Sequence, residues 1–168
     1  LKSIKPDTIM LLGDRYEIFK SAFVATLLRI PICHIHGGEV TEGAYDDSFR
    51  HSITKMSHLH FVTCSIYKNR ITQLGENPKR VFNVGSLGVE NIKKLVLFNK
   101  SFLETKIDFN FRSKNFLITY HPVTLEPGYA KKHITELLSA LKQYKDTGLI
   151  FTMPNIDSEN DKIYQKVR

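Results

Sequence analysis

Three short apolar runs closed by glycine constrain this chain more than any other feature: Thr8–Leu12 before Gly13-Asp14, Ile32–His36 before Gly37-Gly38, and Val81–Val84 before Gly85-Ser86-Leu87-Gly88. A run of four or five residues that is apolar on both faces and stops at glycine reads as a buried parallel strand leaving the sheet through a tight turn. Leu59–Thr63 is a further run of the same kind. Between the runs the period changes. Ile18, Phe19, Ala22, Phe23, Ala25 and Leu27 recur at helical spacing and predict a helix over 16–29 with Pro31 as its exit. DSFRHSITKMS predicts another helix, capped by Asp46 or Asp47, and Ser65–Leu74 a third, ended by Gly75 and the Asn77-Pro78 turn. Strand and helix alternate, which predicts a doubly wound α/β sheet whose ligands sit at the carboxyl ends of its strands.

The rhythm breaks between Lys93 and Lys114 and restarts with a strand at 116–120, a helix at 130–144, a strand at 149–153 and a last helix after Pro154-Asn155. Three segments follow. Residues 1–95 read as the second half of one Rossmann-like domain, 96–114 as a connecting segment with a short helix, and 115–168 as the opening of a second such domain. The chain lacks an initial Met and stops in KIYQKVR, inside a helical pattern, so both ends read as cuts.

The formal charge of +7 is spread along the sequence rather than gathered into a basic block, which argues against a nucleic-acid surface. No stretch approaches the ~18 consecutive apolar residues of a membrane span. The two cysteines, Cys33 and Cys64, sit in apolar runs without disulfide-scaffold or metal-knuckle spacing, and a reducing cytoplasm is the expected compartment.

The residues able to do chemistry gather after the strands. Asp14 lies just past a strand end, where a carboxylate either faces a crevice or caps the next helix. Glu39 follows two glycines that let backbone approach a ligand closely. Asp46 and Arg50, and Asp47 and His51, are four apart and can meet on one helix face, most simply as surface ion pairs. His34 with His36, and His58 with His60, are spaced to share a strand face, but neither pair has a further ligand at a metal-site spacing, so satisfied strand histidines are the simpler reading. His121, past a strand end and before Pro122, is placed either to reach across an interdomain cleft or to bond its own turn.

The strings LLGDRYEIF, HIHGGEVTEGAYDDSFRHSITKMSHLHF, GSLGVEN and YHPVT, in that order, resemble the hydrolysing UDP-N-acetylglucosamine 2-epimerases of bacterial sialic-acid and nonulosonic-acid biosynthesis. The resemblance covers essentially the whole chain. It implies two Rossmann-like domains of the glycosyltransferase-B type, only part of each present here, with a UDP-sugar in the cleft between them and homo-oligomers of the full-length protein. It also implies elimination of UDP to a 2-acetamidoglucal followed by hydration to N-acetylmannosamine, with no nicotinamide or metal cofactor. Carried over residue by residue, Asp14 and Asp46 match family carboxylates and His121 a cleft histidine, while Arg15, Gly37, Gly38, Arg50, His51 and Asn155 are expected to bind or orient substrate. Many relatives carry glutamate where His36 stands. Either His36, with an ordinary imidazole value near ~6.5, or Glu39 then serves as acid/base, and Glu39 is placed ahead. The related substrate is a UDP-2,4-diacetamido-trideoxyhexose; a reading of another class is a sugar-nucleotide binding module without turnover.

Overall fold

The computed structural model describes residues 3–153 and 160–167, which divide into two compact units, Leu1–Leu95 and Val96–Arg168. In the first unit β1 (Ile9–Leu12), β2 (Ile32–Ile35), β3 (Leu59–Val62) and β4 (Val81–Asn83) form a parallel sheet in the order β1-β2-β3-β4. Helices α1 (Tyr16–Leu27), α2 (Asp46–Met56) and α3 (Ser65–Gln73) connect these strands, and α4 (Leu87–Lys94) follows the last. The register is regular, with Leu11 beside His34 and His34 beside His60.

The apolar faces of α1 and α2 close over this sheet. Leu11, Ala22, Ala25, Ile30, Ile32 and Ile53 form one buried cluster, and Val62, Ile71 and Val81 a second beneath α3. The two alanines of α1 allow close approach to the strands, and Phe19 stacks on Phe49 of α2 at 5.2 Å between ring centroids. Burying a whole isoleucine contributes ~2–3 kcal/mol, so the three fully buried isoleucines, Ile32, Ile53 and Ile71, are major stabilisers of this unit.

Several local expectations are corrected. β1 is not buried on both faces: Leu11 is buried under α1 and α2, but Met10 and Leu12, on the opposite face, are 61% and 53% exposed, because the described residues leave that face of β1 open. α1 stops at Leu27 rather than Arg29; Ile30 N–H closes on the Ala25 carbonyl at 2.9 Å, with Arg29 in the left-handed conformation usually given to glycine. Neither Asp46 nor Asp47 caps α2, whose N-cap is Tyr45 without a side-chain bond. α4 was not anticipated, since Gly88 lies inside it and Leu87, Val89 and Ile92 are all exposed, so no buried stripe marks it.

The second unit contains α5 (Lys100–Ile107), β5 (Lys114–Ile118), α6 (Ala130–Leu141), β6 (Thr147–Phe151) and α7 (Asn160–Val167), with β5 and β6 paired in parallel. Segment 96–114 groups with this unit and holds α5, capped by the Asn99 side chain, which accepts from Phe102 N–H at 2.9 Å. Asn155 lies outside the described residues.

Buried His34 ties the first unit together. Its Nε2 lies 2.9 Å from the Gly13 carbonyl and its Nδ1 3.1 Å from the Thr54 hydroxyl. A carbonyl can only accept, so Nε2 carries the hydrogen and Nδ1 accepts from Thr54. One neutral ring thus joins the end of β1, the middle of β2 and the buried face of α2. Burial holds this imidazole down at about 4, against the bond to Gly13, which favours the charged form.

Because the folded His34 resists a proton that the unfolded chain accepts near ~6.5, its contribution is intact above that pH and is lost as pH falls toward 4. Burial also lowers the His60 value, so that group acts in the same direction. Urea denaturation should show a loss of about 2 kcal/mol between pH 7 and 5 from His34, with a flatter dependence in a His34→Gln variant. An unchanged slope in that variant would show that His34 is not the group responsible.

Candidate active site

The carboxyl ends of β1 and β2 and the start of α4 enclose a cleft of about 380 Å³ lined by Leu12, Gly13, Asp14, His36, Glu39, Arg50, Leu87 and Gly88. This is the edge where parallel sheets place ligands. A second cavity of about 420 Å³, between Lys5–Asp7 and Leu28–Pro31, lies at the opposite, amino ends of β1 and β2.

Arg50 organises the cleft. It projects from the middle of α2, is buried, and donates through Nη2 to Asp14 Oδ2 and, at 2.8 Å, to the Thr41 hydroxyl. Its Nη1 lies 3.5 Å from Asp47 Oδ1, which also accepts from Thr41 N–H at 3.1 Å. Asp14 is therefore a cleft carboxylate rather than a helix cap; the N-cap of α1 is Arg15. Thr41, bonded to Arg50 through its hydroxyl and to Asp47 through its N–H, fixes the loop between β2 and α2 beside this cation, whose Nε and Nη1 are buried without a hydrogen-bond partner among the described residues. A buried guanidinium with anionic partners on both sides is far from the surface pair that four-residue spacing first suggests.

His36 and Glu39 form the other polar group. His36 Nδ1 lies 3.0 Å from Glu39 Oε1, and the Thr63 hydroxyl donates to the same oxygen at 3.4 Å. His36 is outside β2, with a left-handed φ of 65°, and its N–H bonds the Phe61 carbonyl at 3.0 Å. It consequently does not share a strand face with His34. Likewise His58 precedes β3 and its ring accepts from Ile32 N–H at 3.3 Å, whereas His60 is buried near Glu76. Among the described residues no cluster of three or more His, Cys, Asp or Glu side chains could hold a metal ion, and no helix is long and apolar enough to cross a membrane.

The two glycines between His36 and Glu39 face protein. A Cβ on Gly37 would lie 2.9 Å from His34 Nδ1, and one on Gly38 would lie 2.6 Å from the Tyr67 carbonyl of α3. Their lack of side chains lets the loop press onto α3, and neither lines the cleft. Asp46 stands half-buried in the first turn of α2. Arg15 bonds Glu17, and His51 lies 3.5 Å from Asp47. His121 is exposed beyond β5 in the second unit. Leu87 and Gly88 in the cleft lining, and Thr41 and Thr63 as partners of Arg50 and Glu39, are not legible from the sequence; hydroxyls and apolar loop residues have no distinctive spacing, and only the folded loops bring them in.

Over residues 1–168 the chain matches the protein family described as UDP-N-acetylglucosamine 2-epimerase. It is 48% identical over 166 residues to the Campylobacter jejuni GDP/UDP-N,N'-diacetylbacillosamine 2-epimerase (hydrolyzing), covering 99% of this chain and 43% of that protein. It is also 48% identical over 163 residues to the Escherichia coli polysialic acid biosynthesis protein P7, covering 96% of this chain and 41% of that protein. The chain thus spans under half the length of these relatives. The Neisseria meningitidis UDP-GlcNAc 2-epimerase structure bound to UDP-GlcNAc aligns with a TM-score of 0.76 at 21% identity, covering 99% of this chain and 47% of that one. That likeness shows the fold, an α/β architecture of the glycosyltransferase-B type.

The two left-handed glycines on this edge should differ in tolerance. Gly38→Ala meets backbone at 2.6 Å at a φ of +78°, whereas Gly13→Ala, at a φ of +84°, meets nothing within 4 Å. Denaturation should show a loss of about 1–2 kcal/mol for Gly13→Ala from backbone strain alone and a distinctly larger loss for Gly38→Ala. Equal losses would remove the packing account of the double glycine.

Proposed function

Since the chain belongs to the UDP-N-acetylglucosamine 2-epimerase family, we propose that the protein carrying it is a hydrolysing 2-epimerase of a UDP-linked 2-acetamido sugar. The observation that carries this reading is the ionised Asp14–Arg50 pair opening into a cleft that also holds His36 and Glu39.

The chemistry explains the need for such a set. The proton on C2 is weakly acidic, so its removal requires a positioned base while the C1–O bond breaks and UDP leaves with the electron pair. Asp14 is the base of choice, kept in place by Arg50. Water then adds at C1 and a proton at C2 of the resulting 2-acetamidoglucal. Arg50 is buried and bonds Asp14 through Nη2, which supports a scaffolding role for it rather than a direct grip on diphosphate. Asp46, Arg15, His51, His121 and Asn155 enter this reading as the family's matched positions. The protein acts in the cytoplasm, without a metal or nicotinamide, and its full-length form is a homo-oligomer.

UDP-N-acetylglucosamine, giving N-acetylmannosamine, is the first substrate to assign. The 48% identity to the Campylobacter jejuni diacetylbacillosamine enzyme, against 34% to a Neisseria meningitidis UDP-N-acetylglucosamine 2-epimerase, favours a second reading in which the sugar is 2,4-diacetamido-2,4,6-trideoxyhexose.

The full-length protein in deuterated water, supplied with each nucleotide in turn, should release UDP together with a 2-epimer deuterated at C2. Asp14→Asn should lower turnover at least ~100-fold while UDP still binds. The preferred nucleotide identifies the substrate; UDP binding without turnover of either would point instead to a binding module.

A further inference from the structure

Epimerisation at C2 places a demand on the site that a single base does not meet. The proton leaves one face of the carbon and a proton arrives on the other, so a sugar that stays in place needs two proton-transfer groups. Besides Asp14, the residues lining the cleft offer His36 and Glu39, and these two stand side by side, 3.0 Å apart.

Position divides their roles. Glu39 Oε1 stands 3.0 Å from His36 Nδ1, so the carboxylate faces that nitrogen and leaves Nε2 to the cleft. Nε2 has no protein hydrogen bond among the described residues and is left to exchange a proton in the cleft. Glu39 in turn accepts from Thr63 at the end of β3. The ring's backbone is held in the left-handed region, at a φ of 65°, by the bond of His36 N–H to the Phe61 carbonyl. A non-glycine residue in that conformation persists only where its surroundings impose it, and it clusters at functional sites.

Resting on the hydrolysing 2-epimerase reading, we infer that His36 and Glu39 work as a dyad in which His36 Nε2 exchanges the proton and Glu39, steadied by Thr63, is a positioning residue. In the elimination Asp14 takes the C2 proton, C1=C2 forms, and the C1–O electron pair departs with UDP. In the hydration the imidazolium gives its Nε2 proton to C2, water oxygen bonds C1, and the spare proton of that water restores the imidazolium. Asp14 then returns its proton to solvent. The charged groups around His36 are Asp14, Glu39 and Arg50 across the cleft lining, with neutral His34 beneath. This assignment reverses the order read from sequence, where Glu39 stood ahead.

A transferring ring with a supporting carboxylate predicts a graded series of losses, so kcat and KM of variants of the full-length protein are the test. His36→Gln should lower kcat at least ~100-fold with KM changed only a few-fold. Glu39→Gln should lower kcat less, again with KM changed only a few-fold. Thr63→Val should show a smaller loss that Thr63→Ser restores. Near-normal kcat in His36→Gln, or a Glu39→Gln loss as deep as that of His36→Gln, would overturn the dyad. Nitrogen NMR of the His36 ring in the free protein separates the two readings. If neither nucleotide releases UDP, the epimerase reading fails, and the ring still decides the pairing: hydrogen on Nδ1 with a nitrogen shift that Glu39→Gln changes supports it, and an unchanged ring spectrum overturns it.

Discussion

A guanidinium buried beneath a sheet edge is strongly unfavourable unless anions surround it, and the carboxyl edge of this sheet is arranged around that constraint. Arg50 sits on the inner face of α2 with Asp14 from the end of β1 and Asp47 from its own first turn, and Thr41 bridges from the intervening loop. Removing either the helix or the strand end would leave a charge stranded. Sheet, loop and helix are therefore held to one another by the same group that keeps Asp14 in the cleft. The cation that stabilises the edge also fixes the aim of Asp14, the group proposed as base.

His34 performs the neutral counterpart of this role one layer deeper. It could not do so as a cation, because its surroundings are apolar and its strand neighbour is another buried histidine, His60. Its two hydrogen bonds use one donor and one acceptor, matching a neutral ring with no group left over. The Gly37-Gly38 turn packs on that ring and on α3, so the loop carrying His36 and Glu39 rests on a rigid floor. A proton-transfer group on a loop is precise only when its support is fixed in this way.

The architecture was legible from periodicity. Runs of four or five apolar residues ending in glycine, alternating with helical spacing, imply parallel strands with helical crossovers, since few other arrangements bury such a pattern. What periodicity missed follows from its own basis. α4 buries no stripe and carries Gly88, and the end of α1 uses Arg29 in a conformation for which glycine is the usual signal. β1 reads as a buried strand although one face is open, because composition reports what a strand is able to bury and not what covers it.

Sequence by itself determined the fold class, the placing of Asp14 and Glu39 after strands, and, through GDRYE, HGGEVTEG and DDSFRH, the family. These are properties of local order and of residue types in succession. Tertiary structure alone decided the pairings: Arg50 with both Asp14 and Asp47, and His36 with Glu39 and through it Thr63, 24 residues further along the chain. It also showed that the double glycine is shaped by α3 packing. Hydrogen bonds act over about 3 Å in space and are indifferent to separation along the chain, so only the fold could convert a row of candidate acids and bases into partners.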